Sequence, residues 1–377
     1  MSKQRNSSFE LLRILAMYII VLSHLTVHTG WPATVPSHNA VLAFLANGEV
    51  GVDVFMLISG YFLVMSKWHL RSFLRTLGHM MFYAVTIGLV FWMFVQPESV
   101  GLPRLLSSLL PISLSGGLVW FGVVYLVAYL LSPYLFALAR ELSQEAYARL
   151  LNLGFVVFCV VPVLMGQRWA FGEVSLFCYL LLLAGYYRLY GEWPLGRLGR
   201  ALGHPFALPI TVACYVVAII ARALAVRGGY ASAWGIIDPL ANVRSDESPL
   251  VLLMAMELMS LFAGAKPWHS RVVNGLAGTT FGVYLIHENS FVRSWLWPHF
   301  LGLYGLPLVR FVAAVLCVPV GVFAACAAVD AARSLLFRVC AKLIPQSLRA
   351  RYQALCAHVD QKVNDLGDAL SGPKASR

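Results

Sequence analysis

Arg13 and His24 stand eleven residues apart in the apolar run FELLRILAMYIIVLSHLTVH, residues 9–28. Eleven steps of about 100° end about 20° past three full turns, so both side chains leave one face of a helix. They are separated by roughly 16 Å along its axis. A guanidinium holds an anion or a developing oxyanion, and a neutral imidazole accepts a proton near pH 7. The pair therefore suits chemistry in which an anionic reactant meets a base. The run also carries Glu10. Charged groups in a spanning helix cost about 2.5–3.5 kcal/mol each on insertion scales, so this polar stripe should face other helices and not lipid. Plainer roles stay open: Arg13 as a topology charge snorkelling to the interface, and His24 as an interhelical hydrogen-bond partner.

Three further stretches carry ionisable groups. NGEVGVDVFMLISGYFLV places Asp53 between Gly51 and Gly60, where small residues let helices approach closely. A carboxylate there either orients a base or a hydroxyl substrate, or packs as an interfacial charge. KWHLRSFLRTLGHMMFY places Arg71 and Arg75 at i, i+4, and His79 is expected to continue their face inward. Paired guanidiniums suit phosphate groups; ordinary topology charge is the alternative. GTTFGVYLIHENSFVRSWLW brings Tyr284, His287 and Glu288 toward mid-membrane, and Glu257 lies at similar depth in SPLVLLMAMELMSLF. Singly, each reads as a satisfied buried polar group; together they imply a polar cavity inside a bundle. No GxSxG elbow, phosphate-binding loop, HExxH or aspartate-rich metal motif is present, so no metal is expected.

The elements that must hold these groups are membrane helices. The chain has 377 residues, 59% hydrophobic and 12% charged. Soluble domains run at about 45–50% apolar and about 25% charged, which excludes that class. The expected fold is all-α, a polytopic transmembrane bundle of about ten spans near residues 9–28, 48–66, 73–95, 118–139, 151–166, 174–190, 205–224, 249–264, 276–297 and 306–329. Runs at 105–115 and 231–240 are too short or too broken to span. With the N-terminus inside, about 21 Lys and Arg fall on inner segments and about 7 on outer ones, including Arg293, which predicts cytoplasmic N- and C-termini. The net charge of +11 follows from those inner segments and does not point to nucleic acid. No small-residue cleavage site follows the basic start, so the first helix is expected to be an uncleaved anchor. The seven cysteines include no CxxC and read as packing residues.

Residues 1–330 are expected to form the membrane domain and 331–377 a basic cytoplasmic tail. In the tail Leu348, Tyr352, Leu355, Val359, Val363, Leu366 and Leu370 make one helical stripe. That helix could lie on the membrane face, pair with another copy to give a homo-oligomer, or cover the bundle's own end.

The Arg–ten residues–His spacing of RNSSFELLRILAMYIIVLSH, followed by GVDVFMLISGYFL, resembles the acyltransferase-3 family of bacterial membrane enzymes. VWFGVVYLVAYLLSPYL, SPLVLLMAMELMSLF and FGVYLIHEN extend the likeness over roughly residues 5 to 330. The chain is similar to stand-alone members without a fused extracytoplasmic domain. The resemblance implies a multi-pass plasma (inner) membrane enzyme. It would move an acyl group, usually acetyl, from cytoplasmic acyl-CoA to a hydroxyl of a surface or secreted glycan or a lipid-linked sugar. It implies no permanently bound cofactor. By the resemblance, Arg13 and His24 are the family's helix-one pair, and Arg71 and Arg75 its CoA-binding arginines. That pair is usually spaced Arg–two residues–Arg; here three residues intervene. His24 is then the base, with Asp53, Glu257 or Glu288 holding it. A proton-coupled transporter or polysaccharide exporter is the alternative, because carriers also use mid-membrane Glu and His.

Overall fold

In the computed structural model the described residues are 5–32, 34–95, 120–165, 172–227 and 243–370. The runs at 105–115 and 231–240, with Arg104 and Arg168, lie outside them. Among the described residues there is no strand. The protein is an all-α membrane bundle, and seven of these helices are long and apolar enough to cross a bilayer.

Helix α1 spans Ser7–His28, with Asn6 as its N-cap. Ser7 fixes the entry of α1: its Oγ donates to Asn274 at 2.7 Å and accepts from the Ser270 N–H at 2.8 Å. Helices α2 (Pro36–Leu45) and α3 (Glu49–Leu63) follow. Helix α3 is central, with Asp53, Val54, Met56, Leu57 and Ile58 all fully buried. It meets α1 at Gly51 and α7 (Gly172–Tyr190) at Gly60, where an added Cβ would come within 2.5 Å of the Ala16 and Leu181 carbonyl oxygens. These glycines therefore set the interhelical spacing.

Next come α4 (Leu70–Val95, ending in a π turn), α5 (Trp120–Glu141) and α6 (Gln144–Met165). After α7 lie the short α8 (Gly196–Ala201), then α9 (Ala207–Arg227) and α10 (Pro249–Ala263).

The ninth expected span, 276–297, is not one helix. It is divided into α11 (Arg271–Ala277), α12 (Thr280–His287) and α13 (Ser290–Leu296), followed by a 3-10 segment to Gly305. Asn289 causes the second break: its side chain accepts from the Phe291 N–H at 3.0 Å, a cap that competes with continuing the helix. The final expected span is longer than anticipated. Helix α14 runs Leu308–Leu343, 36 residues, or about 54 Å against a hydrocarbon core of about 30 Å.

Helix α15 (Gln346–Leu370) folds back onto α4 and α5. It covers the bundle's end with only part of its apolar stripe, Val359 and Val363 being half-buried. Cys356, Asp360, Asn364 and Gly367 make its contacts, while Leu348, Tyr352, Leu355 and Leu366 are exposed.

Candidate active site

Helix α1 presents two imidazoles one turn apart, His24 and His28. Facing them, the break between α12 and α13 supplies His287, Glu288 and Arg293. The Nδ1 of His287 lies 2.6 Å from the Val283 carbonyl oxygen. A carbonyl only accepts, so that nitrogen carries the proton and Nε2 of neutral His287 bears a lone pair. Nδ1 of His24 is 2.9 Å from that Nε2 and is therefore the donor. A neutral His24 protonated on Nδ1 leaves its own Nε2 as an acceptor. His287 is fully buried and its ring stands edge-on to the fully buried Trp297, which fixes the start of this relay.

Glu288 sits beneath both α1 histidines. Its Oε2 is 3.1 Å from Nδ1 of His24 and 3.4 Å from Nε2 of His28. Its Oε1 accepts from Arg293 at 2.7 Å. The carboxylate is 6% exposed and so acts on the imidazoles with little screening by water. His24, His28 and Glu288 each offer one ligand atom, all within 4.8 Å of one another, so this trio could also hold a metal ion. Tyr284 is one turn below Glu288, buried, with no hydrogen-bond partner for its hydroxyl.

Of the expected residues, the structure gathers His24, His287, Glu288 and Tyr284, and sets the others elsewhere. Arg13 is on α1 as expected but pairs with Glu10 at 2.7 Å, above the Phe62 ring. Asp53 is fully buried and neither of its oxygens has a hydrogen-bond partner; the charges acting on it are Asp246 and Glu49. It therefore does not orient His24 by a hydrogen bond in this conformation. Glu257 accepts from Thr211 at 2.7 Å, a contact between α10 and α9.

The three basic residues of α4 separate. Arg71 and Arg75 are exposed. Arg71 lines a cavity of about 620 Å³ between α4, the end of α14 and α15, together with Arg349 and Tyr352. His79 instead turns to α14, where its Nε2 is 2.8 Å from Asp330 Oδ1. The stripe was expected to be continuous, but eight residues at about 100° each leave a rotation of about 80°, enough to address a different neighbour. Asp330 Oδ1 also accepts from Tyr83 at 2.9 Å and Arg333 at 2.8 Å.

Several of these groups escaped sequence reasoning. His28 had a signal, being four residues after His24 on one helix face. Arg293 reads in the sequence as an outer charge; its pairing with Glu288 depends on the helix break. Asp330 lay just past the last expected span.

Within this membrane bundle, α1 and the break after α12 thus meet at an imidazole pair backed by a carboxylate. The family model described as an acyltransferase domain matches residues 6–329, and the chain belongs to this acyltransferase-3 family. It is an integral-membrane acyltransferase. No curated protein and no solved structure matches it.

Proposed function

We propose that the protein is an O-acyltransferase of the plasma (inner) membrane with both termini cytoplasmic. It moves an acyl group, most simply acetyl, from cytoplasmic acyl-CoA to a hydroxyl of a surface or secreted glycan or a lipid-linked sugar. The observation that carries the reading is the hydrogen-bond relay Val283–His287–His24, which leaves Nε2 of His24 unprotonated. A sugar hydroxyl is a weak nucleophile near pH 7, and a positioned base accelerates its attack by typically 10²–10⁴-fold.

In this mechanism His24 Nε2 takes the hydroxyl proton as the oxygen bonds to the thioester carbonyl carbon. The imidazolium so formed is stabilised by Glu288, which Arg293 holds in place. The tetrahedral oxyanion collapses, the carbon–sulfur bond breaks, and the leaving thiolate recovers the proton from His24. Arg13 lies on the same face of α1, about 16 Å toward the cytoplasmic side, and favours the anionic donor on its approach. Arg71, with Arg349 across the cavity from it, receives the phosphates of CoA; Arg75 adds positive charge nearby.

The test is mass analysis of envelope glycans from cells carrying the wild type or His24→Ala at equal protein level. Acylation is expected to be lost in the variant. Unchanged acylation would remove His24 from the chemistry. Thermal stabilisation of the purified protein by acetyl-CoA, and none by free sugars alone, separates this reading from a transporter.

A further inference from the structure

We propose that His24, His28 and Glu288 bind one Zn2+, and that the bound metal silences the base. The donors are a histidine pair at i, i+4 on α1 and a carboxylate from the break between α12 and α13. Their facing atoms already stand at 3.1 Å and 3.4 Å, His24 Nδ1 and His28 Nε2 each to Glu288 Oε2. Zinc bonds of about 2.0–2.2 Å place neighbouring ligands of a tetrahedron about 3.3–3.6 Å apart; the three ligand atoms all lie within 4.8 Å of one another, so side-chain adjustment closes the set. Glu288 Oε2 is buried and meets the two α1 imidazoles, while Oε1 is held by Arg293. The ligand oxygen thus faces the two imidazoles, and its carboxylate is already oriented from behind, as outer partners orient metal ligands elsewhere.

Two imidazole nitrogens and one carboxylate suit zinc with a fourth position open; Mg2+ and Ca2+ prefer oxygen donors only. The histidine side chains are 20% and 25% exposed, so an ion has a way in.

The consequence for activity rests on the reading of His24 as base; the binding does not. A metal on Nδ1 needs that nitrogen's lone pair. The neutral ring then carries its proton on Nε2, so the atom that should accept the substrate proton becomes a donor. The hydrogen bond from Nδ1 to His287 is lost in the same step.

The experiment uses the full chain, purified in detergent and stripped by a chelator. Co2+ serves as the spectroscopic probe and Zn2+ as the competitor. One Co2+ per chain is expected, with the intense visible absorption of a four-coordinate site, displaced by Zn2+. Acyl transfer should fall about 10²-fold or more at the same zinc midpoint and return with chelator. His28→Ala should lose the spectrum and its zinc sensitivity, measured against its own metal-free rate. His28→Cys, which replaces one ligand by another, should regain a cobalt site with a thiolate charge-transfer band; this separates loss of a ligand from misfolding. Absence of a stoichiometric cobalt site, its survival in His28→Ala, or zinc inhibition with an unchanged midpoint in that variant would overturn the proposal. If metal-free wild type transfers no acyl group, the reading of the base and its inhibition both fall, while the cobalt spectrum still decides the site.

Discussion

In the proposed mechanism His24 depends on two neighbours: His287, which accepts from its Nδ1, and Glu288, 3.1 Å from the same nitrogen, which would stabilise the charge it acquires. His24→Ala should lower acyl transfer about 10²–10⁴-fold, measured as kcat in a detergent-micelle assay. His287→Phe keeps a buried ring but removes the acceptor, so Glu288, 3.1 Å away, becomes the remaining anchor. Its kcat should fall by less than that of His24→Ala, with KM for acyl-CoA unchanged. At this scale the sequence was readable where one helix decides the matter. Arg13 and His24 share a face by periodicity alone, and His28 could have been read the same way. Asp53, Glu257 and Glu288 all read as acids in apolar runs able to hold or charge the base, Asp53 and Glu288 ahead of Glu257. Only the rotation of each helix about its axis separates them, and that is set by tertiary packing.

Elements reposition these residues through a few contacts. Helix α12, which carries His287, rests against α14 at Gly282, where an added Cβ would collide with the Asp330 carboxylate. Gly282→Ala should force α12 off α14, costing about 1–3 kcal/mol as overpacking usually does. A lowered melting temperature and a loss of kcat together would show it. Helix α4 lacks a side-chain cap of its own; Asp360 of α15 accepts from the Leu70 N–H at 2.6 Å and from His69 at 3.0 Å. Asp360→Ala should cost about 1 kcal/mol, the usual worth of an N-cap, and raise KM for acyl-CoA by loosening the turn that bears Arg71. Hydropathy located the apolar runs but not the breaks inside them. Asn289 is an ordinary residue in composition, and its cap outweighs the apolar pattern of the ninth run locally.

At the scale of the molecule, the family domain ends at residue 329, before the last turns of α14 and all of α15. Truncation after Pro345 should leave a membrane-inserted protein whose KM for acyl-CoA rises while kcat for bound donor is kept; radiolabelled donor titrations on membranes would read both. The amphipathic pattern of the tail was plain in the sequence, but its orientation was not, because it also depends on Asp360 and Asn364 finding partners at Leu70 and Trp68, 290 and 296 residues away. Leu70 and Asp360 are 290 residues apart in the chain. At the usual 5–20 residues per second of synthesis, roughly 15–60 s separate the two on the ribosome. The fourth helix therefore enters the bilayer with its first turn unlatched, and that end of the bundle is locked only when translation is nearly over. Prematurely terminated chains would keep the His24–His287 contact but leave the start of the fourth helix loose.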